Sequence, residues 1–287
     1  MKILLTGASG FIGTNLAKLL RRDGHEVLPV SRRHGVDFSH MLSAADWLPL
    51  LRGVDAVINA VGIIGETANQ NFQTLHSTAP CALFDACVQA KVSRVIQISA
   101  LGADDTAFSA YHRSKKAADD HLRSLPLDWF VLRPSLIYGR GGASAALFKR
   151  LSRLPLLPVV GDGRQVLQPV HIADVAATVK ACLTSSATRQ ILDIVGNESI
   201  EYVAWLQRLR AAQGRSAAPV LHVPVAMVLA LTRLGQSLNP MLRTENIRML
   251  VKGYRGDGTA WRRFMGRNAL DFIPALLDAD AEQALSD

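Results

Sequence analysis

At 287 residues, 49% of them hydrophobic, the chain can form a well-cored globular protein, either one large α/β domain or a main domain with a smaller lobe. Its formal net charge of +8 comes from scattered basic residues such as Arg21-Arg22, Arg32-Arg33 and Arg262-Arg263. No groove-reading motif or basic-aromatic stripe accompanies them, so nucleic-acid binding is not expected. Cys81, Cys87 and Cys182 lack metal-ligand spacing and cannot all pair, which argues for a reduced compartment and no bound metal. The longest apolar run, residues 223–231, falls short of the roughly 20 residues that span a bilayer. A strand at the first residues leaves no room for a signal peptide, and the expected location is cytoplasmic.

The first predicted strand, residues 3–5, runs straight into Thr6-Gly7-Ala8-Ser9-Gly10-Phe11-Ile12-Gly13. Glycines spaced three apart between a strand and a helix point to a dinucleotide site. Gly7 serves the tight turn, Gly10 lets the main chain approach a pyrophosphate, and Gly13 packs helix on strand. The helix beginning near Phe11 aims its unpaired N–H groups and positive dipole end at the phosphates. After the second strand, 27–30, an NAD-preferring site places an acid on the ribose. Here Ser31-Arg32-Arg33 stands instead, and two guanidinium forks suit a 2′-phosphate, so NADP(H) is expected over NAD(H) unless both arginines simply face solvent. Asp37 is either an acceptor for the adenine amino group or a turn residue.

Further strands are predicted at 56–58, 95–98, 129–132 and 191–195, alternating with helical patterns that include 74–90, 109–124 and 199–213. The alternation describes a doubly wound parallel α/β sheet of Rossmann type. Loops at the strand carboxyl ends, 6–13, 31–33, 59–62, 99–102 and 133–139, form the edge where such sheets bind ligands. The dinucleotide-binding domain is expected to span 1–138, completed by about 168–196. A small substrate-side lobe takes 139–167 and 197–287, where glycines and prolines break the rhythm. The helices at 74–90 and 109–124 are the candidates for pairing in an oligomer. Arg243, Arg248, Lys252, Arg255, Arg262, Arg263 and Arg267 offer a surface for acidic lipid or a partner complex.

Tyr111 and Lys115 are four apart, which puts them on one helix face about one turn from each other. A neighbouring ammonium group favours the phenolate of a tyrosine and makes it a usable acid/base, and Lys115 can also reach the nicotinamide ribose. Ser99 closes the 95–98 strand, on the same sheet edge.

Together these residues resemble the short-chain dehydrogenase/reductase superfamily in its extended or atypical branch, the NAD-dependent epimerase/dehydratase-like proteins. The resemblance runs through the glycine loop, Asn59-Ala-Val-Gly62, Tyr111 with Lys115, Leu132-Arg-Pro-Ser-Leu-Ile-Tyr-Gly139 and Gln168-Pro-Val-His-Ile-Ala-Asp-Val-Ala176. Val95-Ile-Gln-Ile-Ser-Ala-Leu-Gly-Ala103, Leu75-His-Ser-Thr78 and Glu245-Asn-Ile-Arg-Met-Leu250 are similar to the subgroup of the NAD(P)H-binding accessory subunit of respiratory complex I. It implies cofactor contacts from Gly7, Ser9, Gly10, Phe11, Ile12, Gly13, Ser31, Arg32, Arg33, Asp37, Asn59, Ala60, Val61, Gly62, Lys115 and Pro134. It also implies hydride exchange with a carbonyl or alcohol of a small-molecule substrate, with Tyr111 moving the proton and Ser99 orienting the oxygen. The alternative is a non-catalytic NADP(H)-binding scaffold or redox-sensing assembly protein. Two departures bear on the choice. Ala100 and Leu101 stand where extended members usually carry a hydroxyl, and His76 stands where they usually carry Asn. His76 is either a proton relay or a packed structural histidine, and Asp174 is either a ligand contact or a helix-start residue.

Overall fold

The computed structural model describes residues 1–235 and 243–285, without the side chains of 233–235. Among these residues, strands β1 (Lys2–Thr6), β2 (Glu26–Val30), β3 (Ala56–Asn59), β4 (Arg94–Ile98), β5 (Asp128–Pro134) and β6 (Gln190–Ile194) form one sheet in the order β6-β5-β4-β3-β1-β2. Every pairing is parallel. The order reverses between β1 and β3, which opens a crevice at their carboxyl ends. Each predicted strand lies within one residue or two of an observed one. The observed strands reach into polar ends such as Lys2, Arg94, Asp128 and Arg133, because backbone pairing continues past the buried apolar middle.

Helices cover both faces. On one side α1 (Phe11–Arg22) packs Leu16, Leu19 and Leu20 against the sheet. On the other, α2 (Ala79–Ala90) and α3 (Ala110–Ser124) bury Leu83, Phe84, Ala118 and Leu122. The helix expected over 74–90 is not uniform: Gln73–Thr78 is a π-helical stretch that passes into α2. Pro80 has no N–H for the His76 carbonyl, so the ordinary i→i−4 ladder breaks there. A separate cluster built on Tyr138, Phe148, Leu157, Tyr202 and Trp205 forms the core of the lobe. It rests on α4 (Ala143–Leu151) and the short strand Leu157–Val160. Across from α5 (Ile172–Thr184), which belongs to the sheet, the lobe adds α6 (Tyr202–Ala211), Val220–Val223, α7 (Val225–Gly235) and α8 (Thr244–Lys252).

The chain from Thr259 onward, expected with the lobe, returns to the sheet. Trp261, on α9 (Thr259–Met265), is fully buried in the α1/α5 core and donates its indole N–H to Thr178 Oγ1 at 2.7 Å. Asp174, in the first turn of α5 and fully buried, accepts the Leu270 N–H at 2.9 Å and pairs with Arg267 at 2.7 Å. It clips the returning chain to the domain, the helix-start alternative rather than a ligand contact. Removing one partner of a buried ion pair leaves an uncompensated charge. Arg267 is itself 35% exposed, which screens the pair, so Arg267→Ala is expected to lower unfolding free energy by about 1–2 kcal/mol. Urea denaturation checks this, and a loss below about 1 kcal/mol would show that solvent compensates Asp174.

Candidate active site

A cavity of about 650 Å³ lies between the sheet edge and the lobe. Gly10, Phe11 and Ile12 form one end, with Ala60, Val61, Gly62, Ser99, Tyr111, Lys115 and Pro134 around it. The glycine loop supplies a cradle. Gly7 has φ +67°, and a Cβ there would come within 2.6 Å of the Ala60 carbonyl oxygen. A Cβ on Gly13 would fall 2.2 Å from the Gly7 carbonyl oxygen. The Gly10 N–H returns to Gly7 O at 2.9 Å, and no side chain caps the start of α1. Its first-turn N–H groups and positive dipole end therefore stand ready for a pyrophosphate, and the residues present fit a dinucleotide.

Lys115 is the hub of the catalytic end. Its buried ammonium donates to Val61 O at 3.1 Å and Ile98 O at 2.9 Å, tying the loop after β3 to the end of β4. Burial pulls its pKa down, opposed by the Asp119 carboxylate one turn further along α3. Asp119, fully buried, is shifted up by the same desolvation and accepts the Ser99 hydroxyl proton at 2.5 Å. Arg133 stands 3.7 Å from it. Burial also dominates at Tyr111, whose phenol is pushed up to about 12. Burial, rather than the Lys115 ammonium that the spacing pointed to, is the leading influence on the Tyr111 hydroxyl and holds it toward its protonated form. Tyr111 is a proton donor in this state.

The other anticipated residues divide. Asn59 is fully buried and occupied by the protein itself: it accepts from Thr6 Oγ1 at 2.5 Å and donates to Gln97 Oε1 at 2.7 Å. It ties β1, β3 and β4 together and is not among the residues that line the cavity. Asp37 accepts from both the amide and the hydroxyl of Ser39, at 3.0 and 2.7 Å, which gives it the turn role. Ser39 also holds its carboxyl below the usual range. Arg32 and Arg33 lie exposed on the short helical turn after β2, and Ser31 Oγ meets His34 Nδ1 at 2.8 Å. Ser9 sits in the glycine loop, outside the cavity lining. His76 is buried; its Nε2 accepts the Ile63 N–H at 3.0 Å, while Nδ1 faces Ser114 Oγ at 3.1 Å. Stacked on Phe72 and edge-on to Tyr111, it is a packed structural histidine. Desolvation, with Lys115 nearby, holds it neutral.

Sequence reasoning missed three participants. Asp119 repeats the four-residue spacing that links Tyr111 to Lys115, and that periodicity was the available signal. His112 Nδ1 lies 2.8 Å from Ser109 Oγ and 3.2 Å from the Tyr254 hydroxyl, beside Tyr111. Glu245 on α8 accepts the Tyr111 N–H at 3.1 Å, so the lobe itself caps the first turn of α3. Neither contact across the cavity has a local sequence signal. Among the basic residues considered for a lipid surface, Lys252 sits 4.6 Å over the Phe108 ring and Arg267 is held by Asp174.

The model of the NAD dependent epimerase/dehydratase family matches residues 3–194. A ceramide reductase of Caulobacter vibrioides is 27% identical over 276 residues, covering 90% of this chain and 85% of its own length. Subunit 9 of the NADH dehydrogenase (ubiquinone) 1 alpha subcomplex of Mus musculus, a mitochondrial protein, is 29% identical over 187 residues. That match takes 59% of this chain and 50% of the mouse protein. Among solved structures, MoeE5 in complex with UDP-glucuronic acid and NAD aligns with a TM-score of 0.75 at 21% identity, over 100% of this chain and 99% of that one. That likeness is one of fold.

His76 and His112 both resist protonation, His112 down to about 4, chiefly through burial. As pH falls below the ordinary imidazole value near 6.5, the unfolded chain takes up protons that the folded chain refuses, so stability falls. Unfolding free energy is expected to drop by about 2 kcal/mol through His112 between pH 7 and pH 5, with His76 acting in the same direction. In His112→Gln the pH-linked loss should shrink by that amount in urea melts. An unchanged slope would mean that the ring is open to water.

Proposed function

Because the chain belongs to the NAD dependent epimerase/dehydratase family, we propose that it is an NADP(H)-dependent oxidoreductase that interconverts a carbonyl and an alcohol on a small-molecule substrate. One observation carries the reading: the glycine cradle and the Tyr111, Lys115 and Ser99 side chains open into the same cavity. When bound, the cofactor supplies hydride to the reacting carbon or accepts it. Tyr111 exchanges the proton at the substrate oxygen. Its phenol, held protonated by burial, favours the reducing direction, and the relative named as a reductase supports the same choice. Lys115 fixes the two loops between which the ribose is expected and offers its remaining N–H there. Ser99 gives its proton to Asp119, so toward the substrate its oxygen acts as an acceptor that positions an alcohol.

A second reading has its own support. Ala100 and Leu101 leave the cavity without the extra hydroxyl that would polarise a carbonyl, and the mitochondrial relative is by its name a subunit of an NADH dehydrogenase subcomplex. On that reading the chain binds NADP(H) to stabilise an assembly and Tyr111 is a packing residue.

The exposed Arg32 and Arg33, with no acid after β2, predict that NADPH binds at least about tenfold more tightly than NADH, roughly 1.4 kcal/mol. Equal affinities in a fluorescence titration would return both arginines to the solvated surface. Tyr111→Phe should leave NADPH affinity and stability nearly unchanged while lowering turnover by about 10²–10⁴. Turnover at the unmodified rate removes Tyr111 as the acid. A carbonyl and alcohol screen without turnover, in a protein that NADPH still stabilises, favours the scaffold.

A further inference from the structure

The half of the cavity away from the glycine loop has a different character. Leu136, Leu147, Leu151, Val160, Val228 and Leu250 form its walls, contributed by the turn after β5, α4, the strand Leu157–Val160, α7 and α8. Among the described residues that line the whole cavity, Lys115 is the one Lys, Arg, Asp or Glu, and it stands at the opposite end with its ammonium on two carbonyls. Two polar groups nearer the walls, Ser135 and Gln168, are engaged within the chain. Ser135 donates to Gln168 O, and Gln168 Oε1 accepts the Gly256 N–H at 2.7 Å. A phosphate or carboxylate placed here would lose its water and meet aliphatic carbon. An alkyl chain would exchange water for that same carbon at no electrostatic cost.

We infer that the substrate is an uncharged carbonyl or alcohol carried on an aliphatic chain, with the reacting carbon beside Tyr111 and the chain lying along Leu147, Leu151, Val228 and Leu250. This rests on the oxidoreductase reading for the identity of the reacting group. The apolar half selects the chain by burial alone. Among the described residues, a charged nucleotide-linked sugar has no cationic partner along those walls.

The test reads binding, so it does not depend on turnover. Protein saturated with NADP⁺ is titrated calorimetrically with methyl ketones of six, eight and ten carbons, and separately with UDP-glucose. Affinity is expected to rise about fourfold per added methylene, with no UDP-glucose binding. Leu147→Asp, on a half-buried position, should weaken the ten-carbon ketone at least tenfold while NADPH affinity and melting temperature stay put. Leu250→Asp should do the same if Leu147→Asp fails to fold. Affinity independent of chain length, or UDP-glucose binding as tightly as the longest ketone, overturns the inference even if the protein proves to be a reductase. Chain-length-dependent binding of ketones that NADPH never reduces upholds the apolar site and sinks the oxidoreductase reading instead.

Discussion

The closeness of two backbone segments, the turn at Gly7 and the loop at Ala60-Val61, is the constraint on which the cofactor end of this protein depends. No side chain fits between them, and the next turn of α1 presses equally hard on the Gly7 carbonyl through Gly13. Because the loop after β3 is fixed in this way, the Val61 carbonyl has a defined position, and Lys115 can bridge it to Ile98 on the neighbouring strand. The dinucleotide cradle and the catalytic lysine are therefore two ends of one rigid connection. A shift at the glycine loop would be felt at α3.

Electrostatics in the cavity follow from burial more than from charge pairing. Desolvation is the leading influence on Lys115, Asp119, Tyr111, His76 and His112, and in each it disfavours the charged form. Ion pairing resists this only where Lys115, Asp119 and Arg133 come together, with the Ser99 hydroxyl on the carboxylate. The result is a mostly neutral, water-poor chamber with one buried cation at one end, which suits proton donation from a phenol and tolerates aliphatic surface at the other end.

Local features were legible and long-range ones were not. The glycine loop announces itself because a turn, a close approach and a helix start all act within eight residues. Tyr111 and Lys115 are visible through helical spacing, and so is Asp119 once that spacing is continued. A motif gives position without direction: the Asn59 amide turns inward to Thr6 and Gln97. Glu245 under Tyr111 and Tyr254 beside His112 depend on packing between segments separated by more than a hundred residues. Hydrophobic periodicity carries no information about such partners. It likewise assigned Trp261 to the lobe, when the indole belongs to the α1/α5 core.

The return of the chain to its own beginning bears on how the molecule is made. Asn15 on α1 accepts the N–H of Ala281 across a separation of 266 residues, and Lys18 pairs with Asp280 at 3.0 Å. At about 5–20 residues per second, roughly 13–53 s of synthesis separate the emergence of these two partners from the ribosome. For that interval the apolar surface that later receives Trp261 and Ala281 has no cover from its own chain. Until those residues are made, that surface of α1 is open to a chaperone.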